Sequence, residues 1–325
     1  MINIANLIDE QRCYEKVRMI RWPEMVVCVQ CGSINVTKNG KHKSSIHRQR
    51  YECQDCTKKF DDLTSTIFAG SHIPLKTWLL SSYFMGLNLS NSQIADELDI
   101  NKETAHNLCT KLREGIVIKK EVKELENEVE FDEVYVVAGH KGLPEEVLKK
   151  ERKARPRRLK GKRGRGTLKD EKVPILGMIQ RDGEVVIKML PNVQIVTIEP
   201  IIKTIVKAGT LIYTDEYSIY NKLENWGYEH KTVNHSAGQY AIDEDGDGFC
   251  EVHVNTMEGF WSLLRSWLRP HRGVSQNKLP FYIGAFEFFH NCKKRGKKLF
   301  GSILTTLLNP DKRTTEEYLN FEYIK

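Results

Sequence analysis

The stretch Asn127-Glu-Val-Glu-Phe-Asp132-Glu-Val-Tyr-Val-Val-Ala138 reads as a β-strand that carries acids within it. Val129, Phe131 and Val134 to Val137 give it the β-branched and aromatic character of a strand, and the carboxylates among them call for a reason. Downstream, Val173 to Gln180 and Val185 to Leu190 flank Arg181-Asp-Gly-Glu184, an Asp-Gly turn that predicts a hairpin of two further strands. A helical stretch follows, Ile198 to Lys207, and then Thr210-Leu-Ile-Tyr-Thr-Asp215, a short apolar strand that ends on a carboxylate. Lys231 to His235 offers another strand, and Asn255 to Leu268 a helix with Trp261, Leu264 and Leu268 on one face. Three antiparallel strands followed by alternating strands and helices predict a mixed five-stranded sheet flanked by helices.

Upstream of the sheet, Cys28-Val-Gln-Cys31 and Cys53-Gln-Asp-Cys56 form two knuckles, and Gly32 supplies a turn residue directly after the first. Two thiolates three positions apart on a tight turn bind one side of a tetrahedral ion, and a second pair completes the site. Cys28, Cys31, Cys53 and Cys56 are therefore expected to hold a structural zinc ion in a ribbon, with no open position for a substrate. Disulfides are the poorer alternative for an intracellular chain. Cys13, Cys109, Cys250 and Cys292 show no paired spacing and are assigned no role.

Between ribbon and sheet the periodicity is helical. Pro74 opens a helix bearing Leu75, Trp78, Leu79, Tyr83 and Phe84; Ile94, Ala95 and Leu98 make a second apolar stripe; Asp99-Ile-Asn101 reads as a tight turn. Asn101 then caps a helix with Ala105, Leu108, Cys109 and Leu112. This is a helix-turn-helix pattern, or else an ordinary helical hairpin. In the first reading Lys102, Thr104, His106 and Asn107 face base edges in a major groove.

The chain has 325 residues, 40% hydrophobic and 29% charged, and a mean hydropathy of -0.47, the composition of a globular protein of two or three domains. No apolar run approaches the ~18 residues of a membrane span, and the N-terminus lacks the features of a secretory signal, so a cytoplasmic protein is expected. The net charge is +7, and the segment from Lys149 to Lys169 holds twelve Lys or Arg against one acid. That segment outweighs the charge of the whole chain, and it reads as a basic arm for gripping phosphates, with Arg157, Arg158, Lys162, Arg163 and Arg165 at its centre. The run Asp243-Glu-Asp-Gly-Asp-Gly248 imitates a calcium loop, but Val254 stands at its twelfth position, which rejects an EF-hand.

The order of strands and helices resembles that of RNase H-like domains, in which acids on the first strand, at the end of the fourth and on a late helix meet to hold two divalent metals. More specifically, the chain resembles insertion-sequence transposases of the ISXO-like group. The resemblance rests on Glu130-Phe-Asp-Glu-Val-Tyr135, Gly164-Arg-Gly166, Tyr213-Thr-Asp215, Thr232-Val-Asn-His-Ser-Ala-Gly-Gln-Tyr240, His253-Val-Asn-Thr-Met-Glu-Gly-Phe-Trp-Ser262 and Pro270-His-Arg-Gly-Val274, in that order.

The resemblance implies a multidomain α+β protein: a zinc ribbon with an N-terminal helix at 1–66, a helix-turn-helix domain at 67–120, an RNase H-like DDE domain at 121–305 with the basic arm at 149–169, and a tail at 306–325. It implies Asp132, Asp215 and Glu258 as ligands of two Mg²⁺ or Mn²⁺ ions, with Asn255, three residues before Glu258 on the same helix face, as hydrogen-bond donor or alternative ligand. Arg265, Arg269, His271 and Arg272 are expected to grip DNA phosphates beside the acids. The implied partners are double-stranded terminal-repeat and target DNA and further copies of the chain, in the nucleoid of a prokaryotic host and with no membrane. The implied reaction is strand cleavage followed by attack of a 3′-hydroxyl on target DNA. A non-catalytic DNA-binding regulator and an RNase H-like nuclease are the alternatives.

Overall fold

A computed structural model describes residues 4–121, 124–149, 166–169, 171–233, 241–243 and 250–309. They fall into two units that divide after Lys120.

The first unit begins with helix α1 (Glu10–Arg21), capped by Asp9, whose side chain accepts from the backbone N–H groups of Gln11 and Arg12. Strands β1 (Val36–His42), β2 (Ser45–Cys53) and β3 (Lys59–Asp61) make an antiparallel sheet in sequence order. Both cysteine knuckles end in left-handed backbone, at Gly32 (φ 75°) and Thr57 (φ 60°), which reverses the chain so that each pair of sulfurs points inward. Trp22, Tyr51 and Phe60 pack edge-on and stacked beside the cysteines, with centroids 5.4 to 6.2 Å apart. Buried Asp62 ties α1 to this sheet: it accepts from Arg18 at 3.4 Å, from the Gln49 backbone at 2.6 Å and from the Tyr51 hydroxyl at 3.2 Å.

Three helices follow: α2 (Leu75–Gly86), α3 (Asn91–Leu98) and α4 (Lys102–Lys119). Ser90 and Gln93 form a reciprocal capping box at the start of α3, and Asp99 closes that helix in left-handed conformation. Asn101 caps α4 by accepting from the Thr104 backbone at 2.6 Å. The three-residue turn that the sequence predicts therefore separates α3 from α4.

The second unit contains β4 (Glu128–Val137), α5 (Pro144–Leu148), β5 (Lys172–Gln180), β6 (Val185–Met189), α6 (Ile195–Ile205), β7 (Leu211–Asp215) and β8 (Glu229–Val233). Two short strands, β9 (Ala241–Ile242) and β10 (Val252–His253), precede helices α7 (Asn255–Leu268) and α8 (Leu279–Lys294). The main sheet has the order β6-β5-β4-β7-β8. Pairing is antiparallel from β6 to β4 and parallel from β4 to β8, the RNase H-like arrangement.

Alternation along β4 divides the core. Val129 and Phe131 join Ile198, Ile202 and Tyr220 on the α6 face, whereas Val134 joins Met257, Trp261 and Leu264 on the α7 face. At the sheet edge, the Asn291 side chain bonds both N–H and C=O of Val185 (3.0 and 2.9 Å) and Glu287 accepts from the Ile187 N–H at 3.0 Å. Helix α8 thereby covers the hydrogen-bonding edge of β6.

A final helix, α9 (Leu299–Leu308), belongs to the first unit. The expected boundary between the catalytic domain and a tail, at 305/306, falls within this helix. Its apolar stripe runs on past that point, and Ile303, Leu304, Leu307 and Leu308 are all buried.

Candidate active site

Two strands and a helix carry the expected acids. The parallel ladder pairs Glu128 with Leu211, Val129 with Ile212 and Glu130 with Tyr213. The ladder ends two residues before Asp132 of β4 and before Asp215, the last residue of β7, so the two acids lie just beyond the last pair on neighbouring strands. Asp132 lies on the α7 face with Glu130, and Glu258 stands exposed in the first turns of α7, three residues after Asn255. Asp132 is half-buried: Oδ1 accepts from the Glu133 backbone at 2.8 Å and Oδ2 from the Trp261 indole at 2.9 Å. Burial, with the negative charges of Asp215 and Glu258 added, pushes its carboxyl up to about 6. Asp215 Oδ1 accepts from the Tyr217 backbone at 3.0 Å, which holds the carboxylate at the strand end.

Among the described residues, four cysteine sulfurs gather within 4.8 Å of one another, and the three carboxylates do not close to that spacing. A two-ion site does not require it, because ligands are spread over two ions about 3.5–4 Å apart. Hard carboxylate oxygens and an excess of negative charge at a half-buried place fit Mg²⁺ or Mn²⁺.

Several neighbours were not legible as site residues. Glu130 is fully buried, with 0% exposure. Its Oε1 accepts from Arg181 Nε at 3.0 Å and from the Thr256 hydroxyl at 2.8 Å, and its Oε2 from the Met257 backbone at 3.0 Å. Arg181 also donates to Glu128 (3.0 Å) and to the carbonyls of Glu251 (2.7 Å) and His253 (3.0 Å), and stacks 3.9 Å from the Tyr213 ring centroid. In the sequence Arg181 is merely the residue before an Asp-Gly turn. Lys141 is another such residue: its ammonium donates to the carbonyls of His271, Arg272 and Gly273 at 3.3, 3.2 and 2.9 Å and holds the turn after α7.

The basic residues divide. Arg265, Arg269 and Arg272 are exposed on α7 and the turn beyond it. His271, expected beside them at the DNA surface, is buried at 9% exposure, its ring against Trp267 and Tyr282 with centroids 5.0 and 4.9 Å away. An aromatic slot claims that ring, which takes it out of the phosphate-gripping set. Arg157, Arg158, Lys162, Arg163 and Arg165 of the basic arm lie outside the described residues, as does most of the stretch 232–240.

In the first unit, Lys102, His106 and Asn107 are exposed at the start of α4 and Thr104 is half-exposed; His106 Nδ1 lies 3.2 Å from Asn91 Nδ2. The four cysteines converge, with Cys28 and Cys56 sulfurs 3.6 Å apart and those of Cys31 and Cys53 3.7 Å apart. Tetrahedral Zn–S bonds of ~2.3 Å set sulfurs about 3.8 Å apart, so this cluster has the dimensions of a structural zinc site.

Comparison with known proteins agrees with this division. Residues 124–291 match the model of the ISXO2-like transposase domain, and residues 8–59 that of the transposase zinc-ribbon domain. An uncharacterized protein in transposable element ISH50 of Halobacterium salinarum is 32% identical over 314 residues, covering 95% of this chain and 100% of that protein. An uncharacterized transposase-like protein of Haemophilus influenzae is 29% identical over 105 residues, covering 32% of this chain and 77% of the relative. Among solved structures, a chain of the simian T-cell lymphotropic virus intasome in complex with PP2A regulatory subunit B56 gamma aligns with a TM-score of 0.28 at 10% identity, over 65% of this chain and 67% of that one. The chain belongs to the ISXO2-like transposase family and carries the zinc ribbon of such transposases at its N-terminal end.

Proposed function

We propose that this chain is the DNA transposase of an insertion sequence, with Asp132, Asp215 and Glu258 as the acids that hold its divalent ions. The observation that supports the reading is the parallel β4–β7 ladder, whose last pair, Glu130 with Tyr213, stands two residues before Asp132 and Asp215, together with the negative charges of Asp215 and Glu258 that act on Asp132. When bound, Mg²⁺ or Mn²⁺ supplies activation of water or of a DNA 3′-hydroxyl and stabilises the departing oxygen of an in-line displacement. Asp132 would serve both ions, and Asp215 and Glu258 one each. Asn255, exposed in the first turn of α7, would serve as hydrogen-bond donor to a phosphate oxygen or as an alternative ligand.

Arg265, Arg269 and Arg272 hold the DNA backbone beside the acids, and the arm around Arg157 to Arg165 adds further phosphate contacts. The start of α4, with Lys102, Thr104, His106 and Asn107, reads base edges of the terminal repeat, and zinc on the four cysteines stabilises the ribbon. Joining two element ends calls for at least two copies, so a homo-oligomer acting on host DNA in the cytoplasm belongs to this reading. No helix among the described residues is long and apolar enough to cross a membrane.

Incubation of the full chain with a duplex ending in the element's own terminal repeat tests the proposal. The expected result is joined product that depends on Mg²⁺ or Mn²⁺. Binding without cleavage would make the chain a regulator, and cleavage without joining would make it a nuclease.

A further inference from the structure

Helix α7 has no side-chain cap of its own, since its N-cap residue is Val254. Glu130 of β4 takes that place from the neighbouring strand, accepting from the Met257 backbone at 3.0 Å and the Thr256 hydroxyl at 2.8 Å. Two residues on, and so on the same face of the strand, Asp132 accepts from the Trp261 indole at 2.9 Å. Alternate residues of a strand lie about 6.7 Å apart, and residues four apart on a helix rise about 6 Å. The two spacings match. Helix α7 is thus gripped by β4 at Met257 and again at Trp261, and Glu258 lies between the grips.

We infer that Glu130 and Trp261 are positioning residues: two successive carboxylates on one face of β4 fix the axial position and rotation of α7, and with them the placement of Glu258 and the orientation of the Asp132 carboxylate. Arg181 completes the device. It pairs with Glu130 at 3.0 Å and, through the carbonyls of Glu251 and His253, ties the approach to α7 to the end of β5. Glu130 carries the load of a helix cap as a charged acceptor, which favours the positive end of the α7 dipole. Glu130 is fully buried, at 0% exposure, and its two oxygens are taken up by Arg181 and by the first turn of α7, so it acts as a fixed point for the helix. The inference rests on the reading of Asp132 and Glu258 as metal ligands.

The test is Mn²⁺ binding by the full chain, read by electron paramagnetic resonance on wild type, Trp261→Phe, Glu130→Gln and Asp132→Ala, with thermal unfolding and zinc content as controls. Phe keeps an aromatic ring but removes the N–H together with part of the indole, which the thermal-unfolding control reads; Gln keeps an acceptor and removes the charge. Loss of an outer partner of a metal ligand commonly weakens metal affinity 10–100-fold. The expected result is a loss of about tenfold or more in both positioning variants, with unchanged affinity for DNA. Should either variant unfold, Thr256→Val, at an exposed position, decides instead, with a smaller loss in the same direction expected. Wild-type Mn²⁺ affinity in the folded positioning variants, or in Thr256→Val where it decides, alongside loss in Asp132→Ala, overturns the inference and leaves the metal reading intact. Wild-type binding by Asp132→Ala overturns the metal reading, and the inference with it.

Discussion

Asp132 and Gly177 face each other across the antiparallel β4–β5 ladder, and a Cβ on Gly177 would clash with the Met257 methyl at 2.3 Å and the Trp261 ring at 2.5 Å. Helix α7 lies this close to the sheet because the position opposite the central acid has no side chain. Gly177→Ala is expected to push Trp261 off its place over Asp132, with a stability loss of about 1–3 kcal/mol. Denaturant unfolding and strand-transfer assays on one preparation check this. Wild-type stability and activity in Gly177→Ala would show that α7 yields without consequence.

The elevated carboxyl of Asp132 makes a pH prediction. Its folded-state value, about 6, lies above the ~3.9 of an exposed aspartate. The folded state therefore holds this proton more tightly, and the stability that Asp132 contributes at low pH is lost as pH rises from about 4 through about 6. A divalent ion competes with that proton. Added Mg²⁺ is expected to raise the melting temperature of the full chain more at pH 7.5 than at pH 5. Equal shifts at both pH values would contradict the placement of metal at Asp132.

The ribbon makes a separate prediction. One zinc per chain is expected, and Cys53→Ser should release it. Structural zinc in small domains is worth on the order of 10 kcal/mol, so hydrogen-exchange protection of Tyr51 and Phe60 should disappear while that of Ile175 and Ile187 in the sheet persists. Retention of protection around Tyr51 without metal would make the aromatic cluster of Trp22, Tyr51 and Phe60 sufficient by itself.

Much of this was legible in the sequence because it is written in short-range pattern. The alternation along Glu128 to Val137, the Asp-Gly turn and the cysteine spacing each depend on residues within a few positions of one another. Helix α7 has the predicted bounds, Asn255 to Leu268. Glu130, Arg181 and Lys141 were not legible, because their roles come from partners far along the chain: Met257, 127 residues from Glu130, and the 271–273 turn, 130 to 132 residues from Lys141. His271 was misplaced for the same reason. Its neighbours in sequence, Arg269 and Arg272, are exposed, and only the folded chain brings Tyr282 against its ring.

That difference predicts distinct behaviour toward DNA. Arg265→Ala and Arg269→Ala should each lower the slope of log affinity against log salt by about 0.9, the effect of one lost phosphate contact. His271→Ala should leave the slope unchanged and lower the melting temperature. A salt slope reduced by His271→Ala would return that residue to the DNA surface.

Joining of a terminal-repeat duplex in Mg²⁺ by wild type, Asp215→Ala, Glu258→Ala and Asn255→Ala tests the central claim most directly. The account predicts joined product from wild type, none from Asp215→Ala or Glu258→Ala although both still bind the duplex, and reduced product from Asn255→Ala. Joining by Glu258→Ala at the wild-type rate would contradict it.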